Sequence, residues 1–217
     1  MMLTLFCPSR GRPKEATALM ESFLATKASP DTELVFLVDK DDPTRSDYPT
    51  SLILGEPTGD PTGPLNRAAL ASEADIVGFC GDDSRLTTPG WDVLVEGVLR
   101  APGFCWGYDG TSDRPWPSTA FISRSIIQTL GWMVPPTLRR GFFDIAWTVL
   151  ADSTKTVRIV QANFPHDNSR GDPSKPNYDP TFQVPPDVIA QDERAFQEWM
   201  TNAMPRDVQK LRHLIYA

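Results

Sequence analysis

Cysteine and histidine are both scarce in this 217-residue chain: Cys7, Cys80, Cys105, His166 and His213 are all it has. The cysteines show no C-x-x-C spacing and their number is odd, so no disulfide framework is implied. Each sits in or beside an apolar run, the setting of a buried free thiol in a reducing compartment. The histidines lack ligand spacing, which argues against a zinc site. No apolar run is long enough to cross a bilayer, and no basic stretch followed by an apolar one opens the chain. Neither a membrane span nor a signal peptide is expected, and a cytoplasmic protein is. Positive charge is the minority sign, with 21 Lys and Arg against 28 Asp and Glu and a formal net charge of −7. That balance lacks the basic footprint of a general nucleic-acid binder. A Walker loop and a G-x-G-x-x-G turn are both missing, which argues against P-loop NTPases and dinucleotide oxidoreductases.

Proline, by contrast, is abundant at 21 residues, clustered at 57–64, 113–117, 135–136, 165–186 and 205. Long ordered loops of this kind often carry the site in α/β enzymes. Between them the apolar spacing predicts strands at 3–7, 34–38, 51–54 and 75–80, and helices at 14–28, 65–72 and 91–100. The second half adds strands at 104–108, 118–122 and 156–160, and helices at 124–131 and 142–150. A loop at 162–186 leads to terminal helices at 187–200 and 205–216. Gly131 is expected to cap its helix. Strands alternating with helices imply an α/β fold with a mostly parallel central sheet flanked by helices. Length and the lack of a long linker imply one domain.

The run Ile76-Val77-Gly78-Phe79-Cys80 stops abruptly on Gly81-Asp82-Asp83-Ser84. Open α/β sheets bind ligands beyond the carboxyl ends of their strands. Two hard oxygen donors on one short loop suit Mg²⁺ or Mn²⁺ carrying a phosphate. A solvated turn with an Asp cap ahead of Thr88-Pro89 would read the same in isolation. Three further features fall at predicted strand ends or loops: Pro8-Ser9-Arg10, Asp39 and Asn66-Arg67. Ser9 and Arg10 would touch a base or phosphate, Asp39 would accept from a base edge or ribose, and Arg67 would neutralise a diphosphate. Each alone is equally an ordinary turn or surface residue. Together they describe a nucleoside-diphosphate site.

These pieces also carry a family resemblance. Pro8-Ser9-Arg10-Gly11-Arg12-Pro13, Val38-Asp39, Gly63-Pro64-Leu65-Asn66-Arg67, and Gly81-Asp82-Asp83 with Thr88-Pro89-Gly90-Trp91-Asp92 are its elements. Residues 1–165 resemble a GT-A fold glycosyltransferase of the family 2-like type, and in particular its short bacteriophage-encoded members. The resemblance implies a GT-A, Rossmann-like catalytic domain over 1–217. Its nucleotide-binding half would span 1–100, its acceptor and catalytic half 101–186, and its C-terminal helices 187–217. Pro8, Ser9, Arg10, Asp39, Asn66 and Arg67 would hold the nucleotide, and Asp82 and Asp83 would hold Mn²⁺ or Mg²⁺. The family's usual Asp-x-Asp is here Asp82-Asp83-Ser84, so either aspartate stands as the direct ligand.

Phe142-Phe143-Asp144-Ile145-Ala146-Trp147 resembles the family segment that supplies the catalytic carboxylate. Asp144 would take the proton from the acceptor hydroxyl. An Asp in an apolar helix is costly unless paired or facing a cleft; a first-turn charge favourable to the helix dipole is the alternative. Asn163-Phe164-Pro165-His166, then Lys175 and Tyr178-Asp179, is similar to the family's C-terminal loop. It implies His166 as a metal ligand and Lys175 as a grip on the diphosphate, against a plain surface-loop reading. Gly107-Tyr108-Asp109-Gly110 and Arg114-Pro115-Trp116-Pro117 fall where a sugar would sit. Trp116 and Trp132 would either stack on sugar faces or simply pack. The implied activity is metal-dependent transfer of a hexose from a nucleotide sugar (a UDP-sugar first) to a hydroxyl acceptor, with inversion as the first reading and retention as the alternative. A virion protein or a modified DNA base in the host cytoplasm is the acceptor that the phage resemblance suggests. The alternatives are a nucleotidyltransferase, for which Gly11-Arg12-Pro13-Lys14 is a poor phosphate loop, and a non-catalytic nucleotide-sugar-binding module.

Overall fold

A computed structural model of the chain describes residues 1–49, 52–56, 60–111, 113–167, 173–175, 178, 180 and 183–216. Ser51, Gly59 and Asp179, which figured in the sequence reading, lie outside the described residues. The first half runs β1 (Leu3–Ser9), α1 (Pro13–Thr26), β2 (Thr32–Asp39), β3 (Leu52–Gly55), α2 (Thr62–Ala71), β4 (Ile76–Phe79) and α3 (Trp91–Val98). The second runs β5 (Phe104–Tyr108), β6 (Ala120–Ser123), α4 (Arg124–Leu130), α5 (Phe143–Thr154), β7 (Val157–Asn163), α6 (Pro186–Asn202) and α7 (Met204–Tyr216). None of the described helices is long and apolar enough to cross a membrane.

The strands form one seven-stranded sheet in the order β3-β2-β1-β4-β6-β5-β7. All neighbours are parallel except those of β6, which runs against both β4 and β5. No helix separates β5 from β6, so the chain simply turns back, as an antiparallel neighbour requires. Alternation along each strand sorts side chains to two faces. Leu3, Leu5 and Cys7 of β1, Phe36 of β2 and Phe121 of β6 meet α1 and α3 through Leu19, Phe23, Trp91 and Val95. Phe6, Leu37, Val77, Trp106 and Ile122 face the other way, toward α2, α4 and α5, with α6 and α7 closing that layer. All three cysteines are buried and free.

Several motif residues hold this frame rather than a ligand. A side chain at Gly78 would put its Cβ 2.7 Å from Leu5 Cδ1 and 2.8 Å from Phe121 Cδ1, so the sheet face requires glycine there. Asp92, fully buried in the first turn of α3, accepts from the amides of Ala28 and Ser29 and from Thr32 Oγ1. It thereby ties the α1–β2 connection to α3. On α3 itself, Val93 and Leu94 are exposed, while Trp91 and Val95 supply the buried stripe. Gly131 ends α4 in the left-handed region (φ 81°), as expected of a cap.

Candidate active site

β1 pairs with β2 on one side and β4 on the other, so helical connections leave β1 and β4 toward opposite halves of the sheet. That switch point is where an open α/β sheet leaves a crevice. Ser9 and Asp39 end β1 and β2, and Asp82 and Asp83 follow β4. A cavity of about 480 Å³ opens there, walled by Pro8, Ser9, Arg10, Asp39, Asp82 and Asp83. A second, of about 410 Å³, is walled by Asp109, Trp116, Ser118, Asp144 and His166. Phe79, Gly81, Arg140 and Phe143 line both.

The turn after β1 is built from outside itself. Asp42, fully buried, accepts from the Gly11 amide at 2.7 Å and from the Thr44 amide and hydroxyl at 2.8 Å. Burial opposes its ionisation, but these donors outweigh burial and hold its pKa below the ordinary value. The Tyr48 hydroxyl takes the Arg12 amide and shares a 3.0 Å hydrogen bond with Ser9 Oγ. At the rim, the exposed Arg10 guanidinium bridges Asp39 (2.7 Å) and Asp41.

The acidic loop divides its two carboxylates between two tasks. Asp82 turns inward: Ser9 Oγ donates to it and Arg12 Nε lies 2.8 Å from its Oδ2. Its pKa is pushed up to about 6, chiefly by burial and in part by the charge of Asp83, against the pull of Arg12 and Ser9. Asp83 turns the other way and meets His166, with 3.0 Å between Oδ1 and Nδ1. The tail of β7 sets that meeting. Ser84 and His166 form a β-bridge, Arg85 N donates to Pro165 O, and His166 N donates to Asp109 O. Arg85 also clamps the carbonyls of Asp82 and Ser84 while pairing with Glu15 of α1 at 2.7 Å.

Asp144 occupies the first turn of α5 and lines the smaller cavity. Trp116 Nε1 donates to its Oδ2 at 2.8 Å, and Arg114 stacks over the Trp116 ring at 5.6 Å. The segment before α5 is tightly held. Asp192 of α6, almost wholly buried, accepts from the backbone amides of Arg139, Arg140 and Gly141 at 2.7–2.8 Å. Phe142 sits at φ 64°, a costly conformation for a bulky residue, and stacks on Phe196 at 5.3 Å.

Three expectations, Asn66, Arg67 and Lys175, meet a different placement, and Trp132 takes the packing alternative given for it. Asn66 and Arg67 lie within α2, because the helix starts at Thr62 and not at Leu65. The Asn66 amide is spent on the backbone of Met133 and Val134, and Arg67 is exposed and lines neither cavity. Lys175 is exposed and lines neither cavity. Trp132 is buried, edge-on to Trp199, and packs in the core. Conversely, Arg12 and Arg140 reach the crevice without having been singled out. Arg12 stood inside the quoted Pro8–Pro13 motif, whereas nothing local marks Arg140.

The donors present suit a divalent ion of modest protein ligation. Among the described residues no three of His, Cys, Asp and Glu converge as a ready cage. Asp83 and His166 offer a carboxylate oxygen and an imidazole nitrogen side by side on the walls of the two cavities. Mg²⁺-type ions commonly take one or two protein ligands and fill their shell with phosphate and water.

No family model and no curated protein sequence matches the chain. Solved structures do. Residues 1–349 of Staphylococcus aureus TarS, in complex with UDP, superpose with a TM-score of 0.60 at 16% identity, covering 99% of this chain and 70% of that one. The mannosyltransferase PcManGT from Pyrobaculum calidifontis, in complex with GDP-Man and Mn²⁺, gives 0.58 at 12% identity over 98% and 73% of the two chains. Glucosyl-3-phosphoglycerate synthase from Mycobacterium tuberculosis, with Mg²⁺ and UDP, gives 0.54 at 15% over 77% and 72%. The chain therefore has the GT-A fold, a mostly parallel sheet flanked by helices.

Proposed function

We propose that this protein is a metal-dependent glycosyltransferase that moves a sugar from a nucleotide donor to a hydroxyl acceptor with inversion. One observation carries the reading: the Asp83–His166 pair and the Asp144 carboxylate stand on the walls of two cavities that share Gly81, Arg140 and Phe143. A donor in the larger cavity would place its diphosphate at that junction, and an acceptor in the smaller one would meet Asp144. The fold supports the same reading, since TarS, PcManGT and the synthase bind UDP or GDP-Man.

In this mechanism Asp39 and the Pro8–Arg10 turn bind the nucleoside, a uridine first. Opening a base-binding face on Asp39 requires Arg10 to lean toward Asp41, which already holds it. Asp83 and His166 would hold Mn²⁺ or Mg²⁺, which would supply neutralising charge to the leaving diphosphate. Asp82, locked to Arg12, fixes the loop that presents Asp83. Asp144 accepts the acceptor's proton as the new glycosidic oxygen bond forms and the bond to the diphosphate breaks. Trp116 keeps the carboxylate aimed. Lys175 would join only if its loop closed over the donor. A virion protein or modified base as acceptor rests on the phage resemblance alone, and the −7 charge disfavours DNA.

The test is a thermal-shift screen of UDP-, GDP- and dTDP-sugars with Mn²⁺, followed by assay of nucleoside diphosphate release. Donor-dependent stabilisation that needs Mn²⁺, with slow diphosphate release in water, is expected. Pyrophosphate release from a nucleoside triphosphate and a sugar phosphate would replace this reading with nucleotidyl transfer. Binding without turnover for any acceptor hydroxyl would replace it with a binding module.

A further inference from the structure

Among the described residues that line the crevice, Arg140 is an arginine with no ion-pair partner. Arg140 lines both cavities and is only partly exposed. The other arginines that line the cavities are neutralised: Arg10 by Asp39 and Asp41, and Arg12 by Asp82. Among the described residues Arg140 has no ion-pair partner, and Asp60 acts on it only through space. Its position is nonetheless firmly set. Asp192 holds its amide and those of both its neighbours, and the Arg139 carbonyl accepts from Thr62 Oγ1 at 3.2 Å. The Asp192 carboxylate is thus consumed by backbone amides. Burial, with the like charge of Arg12 adding to it, lowers the Arg140 pKa, the direction expected of a cation awaiting an anion. Arg67 and Lys175, the cations that sequence alone offered for a diphosphate, line neither cavity.

We propose that Arg140 grips the diphosphate of the bound donor from the wall that the two cavities share, alongside the metal pair Asp83–His166. The assignment rests on the glycosyltransferase reading. A planar guanidinium holds two phosphate oxygens at once, which a lysine cannot.

The experiment is calorimetric titration of wild type, Arg140→Ala and Arg140→Lys, with Mn²⁺ present, using uridine, UDP, guanosine, GDP and inorganic pyrophosphate. Arg140→Ala is expected to weaken the bound diphosphate by ~10–100-fold, the worth of a charge-assisted hydrogen-bond pair. Affinity for the matching nucleoside stays the same, pyrophosphate competition is lost, and Arg140→Lys falls between. The backbone contacts to Asp192 survive these changes, and an unaltered near-UV circular dichroism spectrum verifies the fold; Arg140→Met serves if Ala perturbs it. Unchanged diphosphate affinity, or an equal loss of nucleoside affinity, overturns the role of Arg140 alone. A wild type that binds none of the diphosphates overturns the glycosyltransferase reading and this assignment with it.

Discussion

Asp82 lends itself to a thermodynamic test. It is 1% exposed, and its pKa stands at about 6 against an ordinary 3.8, burial being the main cause. That gap is equivalent to about 3 kcal/mol. The sign follows from proton counting. Between pH 4 and 6, roughly, the folded state binds a proton that the unfolded state has released, so stability falls as pH rises across this window and levels off above it. Below the unfolded pKa both states are protonated and the penalty vanishes. Urea unfolding of wild type and Asp82→Asn, in EDTA, from pH 4 to pH 7.5 measures it. The wild-type-minus-variant difference is expected to change by about 3 kcal/mol across the window, wild type losing stability. Loss of the Arg12 pair in the variant alters the level of that curve, so its shape carries the test. On the proposed function, Mn²⁺ with UDP would favour the charged carboxylate and move the transition to lower pH. A difference that stays flat from pH 4 to pH 7.5 would refute the picture of a buried, proton-sensitive brace beneath the site.

Three other outcomes are expected. Asp144→Asn retains a side-chain acceptor for Trp116 but cannot take a proton, so turnover falls by ~10²–10⁴-fold in a diphosphate-release assay while donor KM and Tm hold. Gly81→Ala builds a Cβ onto Asp83 Oδ1 and forces that carboxylate off His166; Mn²⁺ affinity by calorimetry drops ~10-fold or more, with little change in Tm. Asp192→Ala strips the acceptor from three backbone amides, each worth ~1–3 kcal/mol when buried. Chemical denaturation is expected to show a loss of at least ~3 kcal/mol, and a loss under ~1 kcal/mol would show that water replaces the clamp.

The strands and helices were legible because their apolar periods are clean, and the crevice followed from which strand ends carry polar residues. The direction of β6 was not legible, since a four-residue apolar strand reads alike both ways. Asn66 misled because Thr62-Gly63-Pro64 reads as a turn yet forms the first turn of α2. Asp192 hides in the polar run Gln191-Asp192-Glu193-Arg194, where only packing distinguishes the buried carboxylate from its solvated neighbours. Arg140 is brought to the cavity that Asp83 lines purely by tertiary structure. Which aspartate faces His166 was likewise beyond the sequence, because adjacent side chains on a loop have no fixed orientation.

His166 reaches Asp83 through a chain of strand pairings, and this makes spacing itself a functional parameter. β7 runs alongside β5 with a register irregularity between Trp106 and Tyr108, and a side chain at Gly107 would collide with the Ala162 carbonyl. Adding or removing a single residue between Val157 and Pro165 would turn every later side chain to the opposite face and carry the imidazole away from its partner. Point substitutions along that ribbon are tolerable wherever size allows; insertions are not. An engineer grafting new acceptor loops onto this scaffold should therefore count residues there before choosing them.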